Sequence, residues 1–203
     1  VLAVNEWASR GGMEVGMAKR NAHAVCPDAV LLAPDAERDA RRFEAVLRAL
    51  DRHIARLTVL EPGNVLFPAR GALRSADSPE SLAEAIVGEI ADCAGCEAQV
   101  GFANGTLATL LAARENAAVE ARYTESYIHG QRTRALLLAV TSARMYAELT
   151  NCIELLDRLG VRTLEGVHRM GRAALVTRFG STGLFIWQLV AGEDVRMPDL
   201  TRG

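Results

Sequence analysis

The most recognisable chemical motif in the sequence is the Cys-x-x-Cys formed by Cys93 and Cys96. Structural zinc sites combine such a pair with a second pair or with histidines. A second pair is absent here, and no histidine lies near the first one in the sequence. We therefore interpret the two cysteines as incidental thiols at a helix end and predict no metal site.

The histidines and one glycine-containing segment are the remaining candidates. The four histidines lack ligand-like spacing, so we expect each at a surface or interface: His23, His53, His129 and His168. Gly101, Asn104 and Gly105 stand between a predicted strand and a predicted helix, where backbone amides can bind phosphate. The Walker lysine is missing, which makes this signal weak. Motif chemistry alone thus identifies no active site.

Hydrophobic periodicity predicts the elements that would position these residues. The first half alternates short helices and β-rich runs, which are predicted at 1–4, 18–25, 29–33, 35–57, 58–67, 78–95, 97–103 and 106–118. Capping residues support three of these helix ends, because Asp35 and Ser78-Pro79 are typical starts and Gly95 is a typical stop. The chain beyond residue 119 is predicted to be wholly helical, with helices at 130–149, 150–159, 163–170, 172–178 and 182–191.

This pattern predicts an α+β fold with helices on one face of an antiparallel-type sheet, followed by an all-helical segment. We expect three parts: a helical segment at 1–56, a strand-helix-strand-helix segment at 57–118, and a helical segment at 119–203. The chain starts with Val1 rather than methionine and opens on a strand-like run. It is therefore expected to be a fragment, or to lack its first element.

The composition of the chain excludes several classes of protein. Its 203 residues are 50% hydrophobic and 24% charged, which excludes a disordered protein. Without an uninterrupted apolar stretch of spanning length or a signal peptide, we expect no membrane association. Four cysteines in a chain of this length predict a reducing cytoplasm. The charge is uneven, since 57–120 carries −6 and 121–178 carries +4.

The sequence resembles the Y-family translesion DNA polymerases. Residues 12–35 are similar to the finger segment of that family, with Gly16-Met17, Cys26-Pro27-Asp28-Ala29 and Pro34-Asp35 in register. Further matches follow in the family order: Glu61-Pro62, Val100-Gly101-Phe102-Ala103, Leu159-Gly160-Val161-Arg162-Thr163-Leu164, Arg178-Phe179-Gly180 and Ala191-Gly192-Glu193-Asp194. The resemblance implies fingers at 1–56, a partial palm at 57–118 and a thumb at 119–203.

The sequence departs from the family at the catalytic positions. By alignment, Leu66 and Phe67 replace a metal-binding Asp and the Glu beside it, and neither side chain can bind a hard cation. Glu6 and Ser9 replace a Tyr and an Arg that contact the incoming nucleotide. The remaining ligand strand of the family would precede Val1. We therefore expect no catalytic residues, no metal and no cofactor in this chain.

These departures resemble the ImuB branch, whose members keep the polymerase fold without its active site. The resemblance implies a non-enzymatic adaptor in damage-induced mutagenesis, translesion synthesis and DNA repair, within the bacterial SOS response. Its implied partners are the sliding clamp, a C-family DNA polymerase and a recombinase-like accessory protein. The alternative is an active error-prone lesion-bypass DNA polymerase, which would require Mg²⁺.

DNA contact by the thumb is expected to be weak and independent of sequence. By resemblance, members of the family contact the DNA backbone through a glycine-rich hairpin, whereas the corresponding stretch at 145–153 contains no glycine. The remaining candidates for phosphate contact are arginines, foremost Arg158, Arg162, Arg169 and Arg172. They could equally form solvated helix faces paired with neighbouring carboxylates.

Overall fold

The computed structural model describes residues 1, 4–14, 16–140 and 142–193. The chain forms two compact units, which divide between Arg38 and Asp39. The first unit is small and contains two short helices. The second contains a β-hairpin and most of the helices.

The first unit is built around helices α1 (Glu6–Arg10) and α2 (Lys19–Val25). Asn5 caps α1, since its side chain accepts a hydrogen bond from the Ala8 amide at 2.9 Å. The small core of this unit contains Ala8, Met13, Ala22 and Cys26. The extended run expected at 29–33 forms no strand, and the described residues of the run expected at 1–4 form none either.

Helix α3 (Ala36–Leu50) spans the division between the units. Its start confirms the cap predicted at Asp35, whose carboxylate accepts a hydrogen bond from the Arg38 amide at 2.9 Å. Strands β1 (Thr58–Glu61) and β2 (Asn64–Leu66) then form an antiparallel hairpin. The hairpin turns at Pro62-Gly63, because proline fixes the first turn residue and Gly63 adopts a φ of 99°.

The strand predicted at 97–103 is wrong. This segment forms only an isolated parallel bridge between Phe102 and Ala118. Phe102 donates to the Ala117 carbonyl at 2.9 Å and accepts from the Val119 amide at 2.7 Å. The alternating pattern of 97–103 therefore reflects the packing of every second side chain against a core. In the described structure, no strand pairs with this segment.

The hairpin and the helices beside it enclose a hydrophobic core of the second unit, which we call the smaller core. Helices α4 (Ala69–Ala72) and α5 (Pro79–Ala94) follow the hairpin, and α5 carries the predicted Ser78 capping box and the left-handed stop at Gly95. The core combines the end of α3, one face of α5 and the 97–103 segment, with buried residues Ala49, Leu50, Ile54, Leu82, Ile86, Ile90 and Val100.

A further core of the second unit, which we call the larger core, lies among the remaining helices. These are α6 (Thr106–Glu115), α7 (Thr124–His129), α8 (Ala143–Arg158) and α9 (Leu164–Val190), with 3₁₀ turns at Ala121–Tyr123 and Thr133–Ala139. The helix expected at 130–149 is thus divided, and the stretch 145–153 lies within α8. Leu107, Ile128, Leu149, Leu175 and Ile186 are among the residues fully enclosed in this core.

Helix α9 is bent at two glycines. Gly171 has a φ of 77° and Gly180 a φ of 59°, so the element consists of three helical pieces. The sequence predicts these pieces, because it places helix ends on either side of both glycines. By length and composition, α9 is also apolar enough to cross a membrane. Its buried residues pack in the larger core, and we interpret it as a core helix.

The α+β class, with a small antiparallel sheet followed by helices, is confirmed. The predicted part boundaries at 56/57 and 118/119 stay predictions. Asp194, which ends the last matching segment, lies outside the described residues.

Candidate functional site

A large open cleft in the second unit contains Leu66 and Phe67. Its volume is about 2410 Å³. The β1–β2 hairpin lines one part of the cleft, and the segment 96–106 lines another. The lining also includes Ile86 and Ile90 of α5, which are buried core residues. Most of the cleft lining therefore comes from the segment that the sequence predicts as a partial palm, while α3 adds residues such as Arg42 and Phe43, and the chain beyond 118 adds Glu120 and Leu138.

Leu66 and Phe67 contribute apolar contacts to this cleft. Leu66 ends β2, where it pairs with Thr58, and its side chain is half-buried. The ring of Phe67 meets the ring of Phe102 edge to face, with centroids 6.2 Å apart. Such aromatic pairs contribute about 0.5–1.5 kcal/mol beyond their area burial. Neither position offers the oxygen ligand that Mg²⁺ requires.

Charged side chains also line the cleft, with equal numbers of each sign. They are Asp39, Glu80, Glu97 and Glu120, and Arg42, Arg70, Arg74 and Arg114. Among the residues that the structure describes, none of these carboxylates belongs to a group of three potential metal ligands within 4.8 Å. The cleft thus lacks a local excess of negative charge.

Gly101 and Gly105 have a packing role in the cleft wall. A Cβ on Gly101 would lie 2.1 Å from the backbone of Ala112, so glycine lets this segment approach α6 closely. Gly105 has a φ of 81°, and a Cβ there would lie 2.7 Å from the Gly192 carbonyl oxygen. These contacts explain both glycines without a bound phosphate.

The two candidate nucleotide positions, Glu6 and Ser9, lie on α1 in the first unit. Both are exposed. The Glu6 carboxylate accepts a hydrogen bond from Arg10 at 2.5 Å, one helical turn along. Glu6 is therefore an ion-paired surface carboxylate, whose charge is unsuited to a triphosphate.

The four candidate arginines differ in their partners. Arg158 ends α8, Arg162 lies in the following turn, and Arg169 and Arg172 flank the Gly171 bend of α9. All four are exposed. Arg169 forms an ion pair with Glu165, whereas the other three have no ion pair with any described residue. Arg158, Arg162 and Arg172 are thus the stronger candidates for phosphate contact.

Cys93 and Cys96 are free thiols. The Cys93 thiol donates to the Glu89 carboxylate at 3.0 Å, and this hydrogen bond raises the pKa of Cys93. The same bond, together with the charges of Arg52 and His53, outweighs desolvation and lowers the pKa of Glu89. A raised thiol pKa disfavours the thiolate that metal binding and redox chemistry need.

Sequence reasoning missed one association of side chains. His129 and His168 meet across α7 and α9, with Nε2 of His129 lying 3.1 Å from Nδ1 of His168. Glu125 stands one turn before His129. The four-residue spacing of Glu125 and His129 was the available local signal. The contribution of His168 depends on tertiary structure and has no signal in the sequence.

Comparison with known proteins identifies the family. A family model described as the impB/mucB/samB family matches residues 1–114, more than half of the chain. The chain belongs to the impB/mucB/samB family. No curated protein sequence matches this family member significantly.

Solved structures share its fold. The Dbh DNA polymerase in its insertion ternary complex is 15% identical, with a TM-score of 0.70 over 95% of this chain and 56% of that one. A DinB family error-prone DNA polymerase from Sulfolobus solfataricus is 15% identical, with a TM-score of 0.72 over 95% and 58%. A Y-family DNA polymerase chimera of Dbh and Dpo4 is 14% identical, with a TM-score of 0.72 over 98% and 57%.

These similarities confirm the expected Y-family polymerase-like fold. This family member spans less than three fifths of each of the three chains. At such low identity, the likeness concerns the fold alone. The ImuB branch stays a prediction.

Proposed function

We propose that this protein is a non-catalytic Y-family homologue that acts as an adaptor in damage-induced, mutagenic translesion synthesis and DNA repair. The observation that carries the proposal is the apolar pair Leu66 and Phe67 at the positions where the resemblance places carboxylates. Both residues line the cleft, and Phe67 also packs against the smaller core of the second unit.

The chemistry of phosphoryl transfer explains why this pair matters. Metal ions neutralise the charge that develops on the transferred phosphoryl group, and they orient the attacking and leaving oxygens. Carboxylate oxygens hold such ions in position. With leucine and phenylalanine there, this part of the cleft has no group to hold Mg²⁺, which supports a non-enzymatic role.

The first unit supports the same conclusion. Glu6 and Ser9 stand where the resemblance places a Tyr and an Arg that contact the incoming nucleotide. An arginine would attract the triphosphate, while a serine carries no charge and a glutamate repels it. Glu6 is also held by Arg10. The loss thus affects nucleotide binding as well as the metal site.

An adaptor acts by binding, and two kinds of partner follow from the proposal. By resemblance to the ImuB branch, its protein partners are the sliding clamp, a C-family DNA polymerase and a recombinase-like accessory protein in the bacterial cytoplasm. Weak sequence-independent DNA contact would come from exposed arginines such as Arg158, Arg162 and Arg172.

The adaptor role is tested by measuring association with purified partners from the same genome. We expect the protein to bind at least one of the three candidates in a stoichiometric complex on size-exclusion chromatography. We also expect deletion of its gene to lower the frequency of damage-induced mutation. Failure to bind any candidate, together with an unchanged mutation frequency, would contradict the adaptor role.

A further inference from the structure

Glu125, His129 and His168 form a cluster separate from the cleft. One oxygen or nitrogen atom of each lies within 4.8 Å of the corresponding atoms of the other two. The closest pair is Nε2 of His129 and Nδ1 of His168, at 3.1 Å. Both imidazoles are half-buried and Glu125 is exposed.

We propose that these three side chains bind a divalent transition-metal ion, with Zn²⁺ as the preferred ion. Two imidazole nitrogens and one carboxylate oxygen are typical Zn²⁺ ligands, and three protein ligands leave a further position for water. Mg²⁺ and Ca²⁺ favour oxygen ligands, so a site with two imidazoles selects against them.

The distances suit this assignment. Two nitrogens that each lie about 2.0–2.1 Å from a tetrahedral Zn²⁺ are separated by about 3.3 Å. The observed 3.1 Å between the imidazole nitrogens is close to that separation. Glu125 and His129 project from the same face of α7, because residues four apart are neighbours on a helix. The carboxylate can therefore reach an ion held between the two rings.

The packing around His168 holds its ring in place. The ring lies between the imidazole of His129, at a centroid distance of 4.5 Å, and the indole of Trp187, at 5.0 Å. Trp187 belongs to the third piece of α9 and His168 to the first. A ligand whose ring is oriented by neighbours needs little rearrangement to bind, which favours affinity.

Metal binding changes the protonation of the pair without needing another reactant. Without metal, one of the two facing nitrogens carries the hydrogen that makes the contact between them. A neutral imidazole can transfer that hydrogen to its other ring nitrogen, which leaves both facing lone pairs available to the ion.

The bound ion would fasten α7 to α9 within the larger core. This role is independent of the proposed adaptor function, because the three residues lie outside the cleft and outside the candidate arginines. Binding to the folded state alone would raise the midpoint of thermal unfolding.

Trp187 provides a direct probe of the site. The chain has two tryptophans, so the Trp7→Phe protein retains Trp187 alone. We expect Co²⁺ to quench its fluorescence with a stoichiometry of one ion per chain, and Zn²⁺ to displace Co²⁺ and restore the signal. In the same protein, Zn²⁺ should raise the midpoint of thermal unfolding, and Mg²⁺ at equal concentration should not.

Substitutions test whether the metal binds to these three side chains or to other histidines and cysteines of the chain. His168→Phe keeps a ring against Trp187 and removes both nitrogens, and His129→Gln removes the second imidazole. We expect both to abolish the quenching, with folding checked by circular dichroism. Glu125→Gln changes an exposed side chain. Loss of a residue that only supports a metal ligand weakens metal binding roughly 10- to 100-fold, and loss of Glu125 as a direct ligand should weaken it by more. His53→Gln and the double variant Cys93→Ser/Cys96→Ser should bind as the parent protein does.

Two results would overturn the proposal. One is the absence of saturable quenching and of any Zn²⁺-dependent rise in the unfolding midpoint in the folded parent protein. The other is quenching that persists in the folded His129→Gln protein, that keeps the parent affinity in the folded Glu125→Gln protein, or that disappears in the cysteine variant. Either result would leave the histidines as a hydrogen-bonded pair packed on Trp187.

Discussion

The rings of Phe67 and Phe102 pack edge to face at an interplanar angle of 84°. Phe67 directly follows the β-hairpin, and Phe102 belongs to the extended segment on the other side of the cleft. The contact thus joins two cleft-lining segments that share no strand pairing in the described structure. It also places an aromatic ring at a position where the resemblance to the Y-family polymerases implies a carboxylate.

Phe67 and its neighbour Leu66 should respond differently to substitution. Phe67→Ala removes a half-buried ring from the smaller core and should lower the free energy of unfolding by about 1–3 kcal/mol. Phe67→Glu should cost more, because it buries part of a carboxylate among apolar groups. Denaturant unfolding followed by circular dichroism measures both effects.

Leu66 is the matched control. It lines the cleft and is not among the residues packed in the core, so Leu66→Ala and Leu66→Asp should each cost less than the corresponding change at Phe67. Equal losses at the two positions would contradict the assignment of Phe67 as the core residue of the pair.

The local features of the fold could largely be predicted from the sequence. Asp35, Ser78-Pro79 and Gly95 mark helix ends through local backbone chemistry, and Gly171 and Gly180 mark the bends of α9 in the same way. The strand expected at 97–103 could not be settled locally. A strand needs a hydrogen-bonded neighbour, and the alternating pattern shows only which side chains are buried.

Gly101 and Gly88 should respond oppositely to alanine. A Cβ at Gly101 would overlap the backbone of Ala112, which cannot move without disturbing α6. We expect Gly101→Ala to lower the free energy of unfolding by more than about 2 kcal/mol. Gly88 lies inside α5 with no atom within 4 Å of its Cβ position. Gly88→Ala should therefore stabilise the protein by about 0.5–1 kcal/mol. Denaturant unfolding checks both values, and a neutral Gly101→Ala would disprove the close approach to α6.

Cys93 should react slowly with alkylating reagents in the folded protein. The hydrogen bond to Glu89, with burial and the carboxylate charge, raises the pKa of the thiol, and only the thiolate reacts. Glu89→Ala should lower that pKa and speed alkylation of Cys93 near neutral pH, as followed by peptide mass spectrometry. Glu84→Ala, on an exposed position of the same helix, should leave the rate unchanged. Equal rates in the two variants would contradict the role of Glu89.

The hydrogen-bonded pair Glu89 and Cys93 makes the stability of the fold depend on pH on both the acidic and the alkaline side. The pKa of Glu89 is lowered by folding, so its contribution is present above its unfolded pKa and is lost as the pH falls through the folded pKa. The pKa of Cys93 is raised, so its contribution is lost as the pH rises through its folded pKa. Unfolding of Glu89→Ala should accordingly depend less on pH in both directions.

DNA binding should depend on the arginines without ion pairs. Replacement of Arg158, Arg162 and Arg172 with alanine should weaken binding about equally for all DNA sequences. If all three contact phosphates, the slope of log affinity against log salt should fall by about 2–3. Dissociation constants of non-specific complexes are roughly 10⁻⁴–10⁻⁶ M at physiological salt, and we expect the weak end of that range. Fluorescence anisotropy of labelled duplexes at several salt concentrations measures both quantities.

A triple variant of paired arginines is the matched control. Arg122, Arg144 and Arg169 form ion pairs with Glu120, Glu148 and Glu165, so their replacement removes the same charge from arginines that already have partners. It should weaken DNA binding less. Equal effects of the two triple variants would show that overall charge, and not these three arginines, determines the affinity.

Less of the candidate site than of the fold could be predicted from the sequence. The absence of carboxylates at Leu66 and Phe67 is a prediction that the sequence allows, because the flanking segments resemble a known pattern. The ring contact between Phe67 and Phe102 joins residues that are 35 positions apart in the sequence. The contact between His129 and His168 joins residues that are 39 positions apart. Only the tertiary structure brings either pair together. Ion pairing likewise separates Arg169 from Arg158, although each of them has a glutamate four residues earlier in the sequence.

Primer extension tests the central claim most directly. The purified protein is incubated with a primed template, all four deoxynucleotides and either Mg²⁺ or Mn²⁺, beside a DinB family polymerase under identical conditions. We predict no incorporation above background with either ion, because Leu66 and Phe67 cannot hold a metal and Glu6 repels the triphosphate. Template-dependent extension that is abolished when the cleft carboxylates Glu97 and Glu120 are replaced with glutamine, in a protein that remains folded, would contradict the account.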